Sequence, residues 1–291
     1  MIDILQTLVL GLMLGGVYAL MGSGLTLLFG VMRIVNLAHA AFIAVAAYIA
    51  FYAFDLFGID PLLSVLIAMP VMFLLGVAVY IPLFPRIESS PRYVEMTVLM
   101  TFALALIIEG VLSFFFTGIV RATRPAYTTD ALFIGNVLIP VGQLLALGMS
   151  CLLLTGTWLF LKFTRTGTAV RATMQNRTSA QIVGVNILRI SAIAFGLGMA
   201  LAGASGCLVS YLFPFYPGQH WRWVALLLSL IVLGGLGSLK GAVVGALALA
   251  VAAAFVTRWL GPEWSSLTFY LALFLILLVR PQGLFGKAMR I

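Results

Sequence analysis

The sequence predicts an all-α polytopic membrane protein with about eight to nine transmembrane helices, and three observations carry that prediction. Of its 291 residues 63% are hydrophobic and only 8% charged, and the mean hydropathy is +1.19. A water-soluble domain needs polar groups to solvate its surface and cannot hide that much apolar area. Apolar runs at least as long as the roughly 20 residues that cross a bilayer recur along the chain. The basic residues sit at the ends of those runs rather than in one patch. The net charge of +8 therefore reads as membrane topology and attraction to anionic leaflets, not as nucleic-acid binding. Cys151 and Cys207 both lie in apolar runs, which argues against a disulfide framework or a metal cluster.

Taken in order, the first 30 residues lack a positive n-region and exceed a signal-peptide core, so they read as a retained first span over 5–29. Its Gly11, Gly15, Gly16, Gly22 and Gly24 are small residues that let helices approach closely in lipid. The segment VMRIVNLAHAA (31–41) then interrupts the apolar run with Arg33, Asn36 and His39. A second span reaches residue 54, and 55–61 is a short acidic turn. The third span, 62–83, contains Pro70, a kink or local irregularity. After the polar loop 85–95 a fourth span covers 96–117, and 118–140 is read as a long loop. The fifth span, 141–163, leads into a polar stretch, 164–189. The sixth span, 190–213, is rich in glycine, and PFYPGQHWRW follows with two tryptophans at an interface. The seventh, 224–236, is short and meets a glycine-rich turn. The eighth ends near residue 260, GPEW turns the chain, and the ninth ends at Arg280-Pro281-Gln282-Gly283. The whole reads as a single domain, 1–291.

The stretch 164–189 is the longest polar interruption. It carries Arg165, Arg171, Arg177 and Arg189 and no carboxylate. Its pattern is that of two short helices, the first over 168–175. The second is marked by Thr178 and Gln181 at capping-box spacing and by Gly184 where a left-handed cap belongs. Two readings stand: a folded docking surface, or a basic loop that only sets topology. If this stretch is cytoplasmic, Arg33, Arg86, Arg92, Lys162, Arg165, Arg171, Arg177, Arg189, Lys240, Arg280, Lys287 and Arg290 lie inside, and Arg121, Arg124, Arg222 and Arg258 outside. That satisfies the positive-inside bias. It gives an outside N-terminus and nine crossings if span seven crosses fully. A re-entrant span seven lowers the count to eight and moves the N-terminus inside, unless span two is also broken.

Within the apolar runs, Asn36 and His39 are polar groups that hydrocarbon penalises unless partnered. They read either as braces of a broken helix or as part of a translocation path. Glu109, in FALALIIEGVLSFFF, is a polar anchor or a proton-coupling site. Gly234, Gly235 and Gly237 lack the strand and the G-x-x-x-x-G-K-[ST] order of a phosphate loop. They read as close helix packing or an unwound turn lining the path. No H-E-x-x-H, G-x-S-x-G or pair of aspartates in adjacent spans occurs, which argues against an intramembrane enzyme.

Four segments carry a resemblance. G-T-A-V-R-A-T-M-Q-N-R-x-x-A-x-x-V-G-V-N in 167–186 is similar to the cytoplasmic coupling loop of ABC-importer permeases for branched-chain amino acids. M-R-I-V-N-L-A-H-A-A-F resembles that family's M-x-x-x-N-x-A-H-G-x-F, with Ala40 in place of its usual glycine. G-G-L-G-S-L-K-G-A and R-P-Q-G-L-F resemble it further on, in the same order. The resemblance implies a permease subunit, not an enzyme, in a bacterial inner membrane. Its expected partners are two ABC ATPase subunits that hold the ATP, a second and often different permease subunit, and a periplasmic substrate-binding protein. This chain itself would bind no cofactor or metal. The resemblance assigns ATPase coupling to Gly167, Arg171, Ala172, Gln175, Arg177, Ala180 and Gly184. The expected cargo is a branched-chain amino acid or a related small polar solute such as urea or a short amide. The absence of a long N-terminal extension suits the shorter of the two permease types. The alternatives are an ion-coupled secondary carrier, or an ABC permease for a sugar, nucleoside or vitamin.

Overall fold

The computed structural model describes residues 2–88, 90–280 and 282–286. Pro281, Lys287 and Arg290, which entered the reading above, lie outside them. The chain runs through α1 (Ile2–Met32), α2 (His39–Phe57), α3 (Pro61–Ile87), α4 (Tyr93–Phe116), the strands β1 (Ala131–Ile134) and β2 (Val137–Pro140), and α5 (Val141–Phe163). Then come α6 (Arg165–Gln175), α7 (Arg177–Ile182), α8 (Ile187–Leu212), α9 (His220–Gly234), α10 (Leu239–Leu260) and α11 (Ser265–Val279). Helix dominates because hydrocarbon offers backbone N–H and C=O groups no partner but one another. Even Pro70, Pro82 and Pro85 are held inside α3. Among the described residues, eight helices are long and apolar enough to cross a membrane.

The bundle has two distinct ends. At one, the Gln6 side chain donates to Leu138 O at 2.6 Å and accepts from Leu138 N at 2.8 Å. Nearby, Asp3 at the start of α1 pairs with Arg258 at the end of α10. At the other, Gly30 near the end of α1 lies against the side chain of Met174 in α6. We call these the hairpin end and the basic end.

Two crossings begin with irregular chain. His39, the first residue of α2, reaches the Met21 carbonyl of α1 at 3.1 Å. Met21 lies 11 residues before the end of α1, about 16 Å at 1.5 Å per residue. Segment 33–38 therefore re-enters the bundle without helix and α2 starts at mid-depth. α9, with 15 residues, spans about 22 Å, short of the ~30 Å hydrocarbon layer. It nevertheless completes a crossing. Phe215 is bridged to Arg121 at the hairpin end, Leu230 lies beside Gly22 of α1, and Gly237 faces Gly30. The described residues thus make nine traverses, with the N-terminal end of α1 at the hairpin end. Leu284 and Phe285 are bonded to Leu233 and Gly234 at the basic end.

α8 is the central post and is buried along almost its whole length. Its small residues take backbone contact on three sides. A Cβ on Gly198 would come within 3.0 Å of Gly24 O in α1, one on Gly203 within 3.0 Å of Ala68 O in α3, and one on Gly206 would strike Ile43 O and Ala46 of α2. In lipid such packing replaces the hydrophobic drive that associates helices in water. The outward faces of α3, α4, α5 and α11 are apolar and exposed, as a lipid-facing rim requires.

The stretch 118–140 differs from the expected loop. It contains a 3₁₀ turn (Ala126–Thr128) and an antiparallel hairpin pairing Ala131 with Pro140 through Ile134 with Val137. Gly135, at φ +60°, supplies the turn that an L side chain resists.

The backbone contact at Gly206 yields a test. Gly206→Leu forces a side chain into α2 and is expected to cost at least ~1–3 kcal/mol, the overpacking range. The readout is a lower Tm and lower yield in detergent. Gly148→Leu, on the open face of α5 with nothing within 4 Å, is expected to behave as the parent.

Candidate functional site

The segment 164–189 folds as two short helices joined at Asn176. Thr164 Oγ1 accepts from Gly167 N at 2.9 Å and starts α6, so the helix begins at Arg165, three residues before the sequence suggests. Gly167 lies against the Phe160 carbonyl and Leu161 with no room for a Cβ, which folds α6 back onto α5. Val170 and Thr173 continue that buried stripe. Asn176, extended at φ −154° and ψ 109°, ends α6 and caps α7, its Oδ1 accepting from Ser179 N at 2.9 Å. The expected Thr178–Gln181 box is not used. Thr178 already lies inside α7, and Asn176 reaches the free amide from one residue ahead of the helix. Gly184 does what its position predicts. At φ +89° it donates to Gln181 O while Val185 N donates to Ala180 O, the paired bonds of a Schellman cap. Asn186 then caps α8 through Arg189 N at 3.0 Å.

This element is tied to four long helices. Arg177 forms an ion pair with Glu88 just past α3. Met174 covers Gly30 of α1, Gly167 seats α6 on α5, and the Asn186 cap joins α7 to α8. A polar cavity of about 290 Å³ separates the end of α1 from α6–α7, lined by Arg33, Thr173, Asn176 and Arg177 among others. Of the seven residues expected to couple, Gly167 and Ala180 are buried, Ala172 and Arg177 half-buried, and Arg171, Gln175 and Gly184 exposed. Arg171 is steadied by Lys162 O at 3.3 Å. Sequence reasoning passed over Ile182 and Val183, which are 80% and 78% exposed. The signal was there: an aliphatic pair inside a polar, basic stretch. The outward surface is thus an apolar tip among arginines with no acid on α6 or α7.

The other candidates do not converge with it. Asn36 and His39 are fully buried and brace the break before α2. Asn36 Oδ1 accepts from Ala38 N at 3.1 Å, and Leu37 N donates to Thr101 Oγ1 at 3.3 Å. Gly24 makes room for the His39 ring, since a Cβ there would lie 2.8 Å from its Cε1. Asn36 Nδ2 and His39 Nδ1 have no hydrogen-bond partner among the described residues. Glu109 is elsewhere, half-buried in α4. Its Oε2 accepts from Trp221 Nε1 at 2.9 Å, which ties α4 to the start of α9. Gly234, Gly235 and Gly237 form the α9–α10 turn: Gly234 touches the Gly241 backbone, and Gly235 and Gly237 take φ of +97° and +80°. Gly283 and Gly286 pack into the same knot. This is a tightly packed turn at the basic end. Among the described residues no group of three or more His, Cys, Asp or Glu could hold a metal ion.

With this geometry in view, comparisons with known proteins are specific. A family described as branched-chain amino acid transport system / permease component matches residues 7–278. The chain is 30% identical over 298 residues to the high-affinity branched-chain amino acid transport system permease protein BraD of Pseudomonas aeruginosa, covering 97% of this chain and 96% of that one. It is 26% identical to the corresponding LivH protein of Escherichia coli K12, with the same coverage. To the probable LivH of Methanocaldococcus jannaschii it is 27% identical over 92% of this chain and 88% of that one. A solved structure, PsaBC from Streptococcus pneumoniae in complex with Fab, matches with a TM-score of 0.49 and 16% identity, covering 96% of this chain and 92% of that one.

The caps of α7 act first on its own six residues. Asn176→Ala and Gly184→Ala are each expected to cost about 1 kcal/mol, the first by losing a cap and the second by forcing an L residue into the left-handed region. Hydrogen exchange should quicken at the α7 amides while the global Tm stays unchanged.

Proposed function

This chain belongs to the family of permease components of branched-chain amino acid transport systems, and from that premise we propose that α6–α7 is its coupling element. In this reading two ATPase subunits bind at the basic end and supply the energy of ATP. A second permease subunit completes the path, and an external binding protein delivers a branched-chain amino acid or a close relative at the hairpin end. The membrane is the bacterial inner membrane, with the basic end cytoplasmic.

The observation that carries the proposal is the construction of 164–189. A loop serving only topology needs charge but no fixed shape. Here Thr164, Asn176, Gly184 and Asn186 each satisfy a helix end, and four helix ends are held to the same element. A displacement at Ile182–Val183 is therefore passed to α1, α3, α5 and α8 together rather than absorbed by slack chain. Any such coupling works by differential affinity: the partner must bind one arrangement of these ends better than the other. Orientation is supported by charge. Arg33, Arg86, Arg92, Lys162, Arg165, Arg171, Arg177, Arg189, Lys240 and Arg280 gather at the basic end, against Arg121, Arg124, Arg222 and Arg258 opposite, the bias expected of a cytoplasmic face.

The arrangement of Glu109 suits a polar anchor that ties α4 to the start of α9. Its carboxylate is engaged by the Trp221 indole, a bond that a neutral glutamine side chain also accepts through its carbonyl.

Transport by the assembled system separates the readings. Arg171→Glu and Ile182→Asp are expected to lower ATPase-subunit co-purification or coupled leucine uptake roughly tenfold or more, as for an interface anchor. Gly184→Trp is expected to do the same by breaking the cap. Glu109→Gln is expected to leave uptake within about twofold, since the Trp221 bond survives. Full uptake in the three loop variants, with uptake abolished by Glu109→Gln, would contradict the proposal and favour a proton-coupled carrier.

A further inference from the structure

The polar cavity of about 290 Å³ at the basic end carries chemistry that a docking tip at Ile182–Val183 does not need. Two guanidinium-bearing residues line it from separate elements, Arg33 just after α1 and Arg177 at the start of α7. Among the described residues no carboxylate lines it. The Asn176 Oδ1 is taken by Ser179 N, which leaves the side-chain amide of Asn176 as a donor. Val31 and Met32, both buried, add an apolar wall. A lining rich in donors and without an acid suits an anion.

Arg33 is the unusual member. Its φ is +56°, and Arg33 and Thr117 are the described residues other than glycine with positive φ. Its N–H donates to Phe29 O at 2.8 Å, so it ends α1 in the left-handed position that glycine normally fills. An L residue resists that conformation, and such strain persists where the side chain has work to do. The Arg33 guanidinium pairs with no carboxylate among the described residues. Arg177 does pair, with Glu88, but the two side chains are 32% and 36% exposed and such pairs exchange readily. α1 also brings the negative pole of its dipole to this space. That pole alone would repel an anion, so the site depends on Arg33. Among the described residues only Glu88 and Glu95 are acidic at the basic end, and the surrounding field favours negative charge as well.

We infer that this cavity binds a phosphate group, held between Arg33 and Arg177 with the Asn176 amide completing its shell. Two guanidinium forks match a tetrahedral oxyanion, which offers more acceptor oxygens than a carboxylate does. A volume of about 290 Å³ is at the small end of ligand sites and suits a compact anion. The source is either the headgroup of an anionic phospholipid at the membrane surface or inorganic phosphate from solution. Either one would tie the end of α1, and with it the re-entrant segment 33–38, to α6–α7. The Glu88 carboxylate is then the internal competitor for Arg177. The site stands on this cavity alone and holds whether or not α6–α7 engages an ATPase.

The test uses the full chain, purified in detergent with the subunits it retains, in a Cys151→Ser, Cys207→Ala background. Thr178→Cys, in the lining, reports the cavity. Ser179→Cys, exposed next to it and outside the lining, reports the general field of the basic end. Saturating inorganic phosphate is expected to slow labelling of Thr178→Cys by an anionic thiosulfonate roughly fivefold or more, relative to chloride at equal ionic strength. Ser179→Cys should label alike in both. Arg33→Gly, which keeps the left-handed cap and removes the charge, should abolish the protection, and Glu88→Gln should strengthen it by freeing Arg177. Phosphate-free nanodiscs of phosphatidylcholine, with and without an equal part of phosphatidylglycerol, identify the source. Protection by phosphatidylglycerol assigns the site to a lipid headgroup, and protection by inorganic phosphate alone assigns it to the free ion. The Tm is read in the same samples and decides the matter if the thiol does not react. Phosphate or phosphatidylglycerol should raise it more in the parent than in Arg33→Gly. Labelling blind to both, protection that survives Arg33→Gly, or equal Tm shifts in the two proteins would overturn the inference.

Discussion

Everything in this bundle depends on how closely the backbone of α8 can approach its neighbours. Lipid tails are as apolar as leucine, so burying more leucine does not hold these helices together, and fit has to. Gly198, Gly203 and Gly206 set α8 directly against the carbonyls of α1, α3 and α2. That proximity permits one departure from helix at membrane depth, and glycines elsewhere permit a packed turn at the basic end. The break at 33–38 is tolerated because Asn36, His39 and Thr101 take up backbone groups. The α9–α10 turn is tolerated because Gly234, Gly235, Gly241 and Gly283 let three segments share one small volume.

The same constraint gives α6–α7 its place. A glycine at 167 lets α6 lie on the end of α5, and a glycine at 30 admits Met174 onto α1. An element that reaches both helices through missing side chains is held by shape, with the Arg177–Glu88 pair adding direction rather than much energy at a third exposed. A rigid body with an apolar tip, seated on four helix ends, is what a proposed energy-coupling part requires.

Much of the fold was legible because hydropathy and length are local properties. The spans fall close to their expected positions, and Gly184 was readable as a left-handed cap since only its neighbours decide it. What escaped reading depends on residues far apart in the chain. Thr178–Gln181 has capping-box spacing, yet Asn176 wins because the chain is extended there and not one turn later. The lone carboxylate Glu109 has its partner 112 residues away in Trp221. The short span over α9 is completed by residues anchored through Arg121 and Phe215. Asp3 and Arg258 are separated by 255 positions, so neither suggested the other as a partner. The hairpin at 131–140 carried a local signal, Gly-Asn between apolar runs, that the surrounding hydrophobicity masked.

The central claim, that the α6–α7 tip is where an ATP-hydrolysing partner engages this subunit, is most directly tested by a photocrosslinking residue at Ile182 in the assembled transporter. The same residue is placed at Phe133, an exposed position on the opposite end. The account predicts a covalent adduct with the ATPase subunit from position 182 and none from position 133. An ATPase adduct from position 133, with none from position 182, would contradict it.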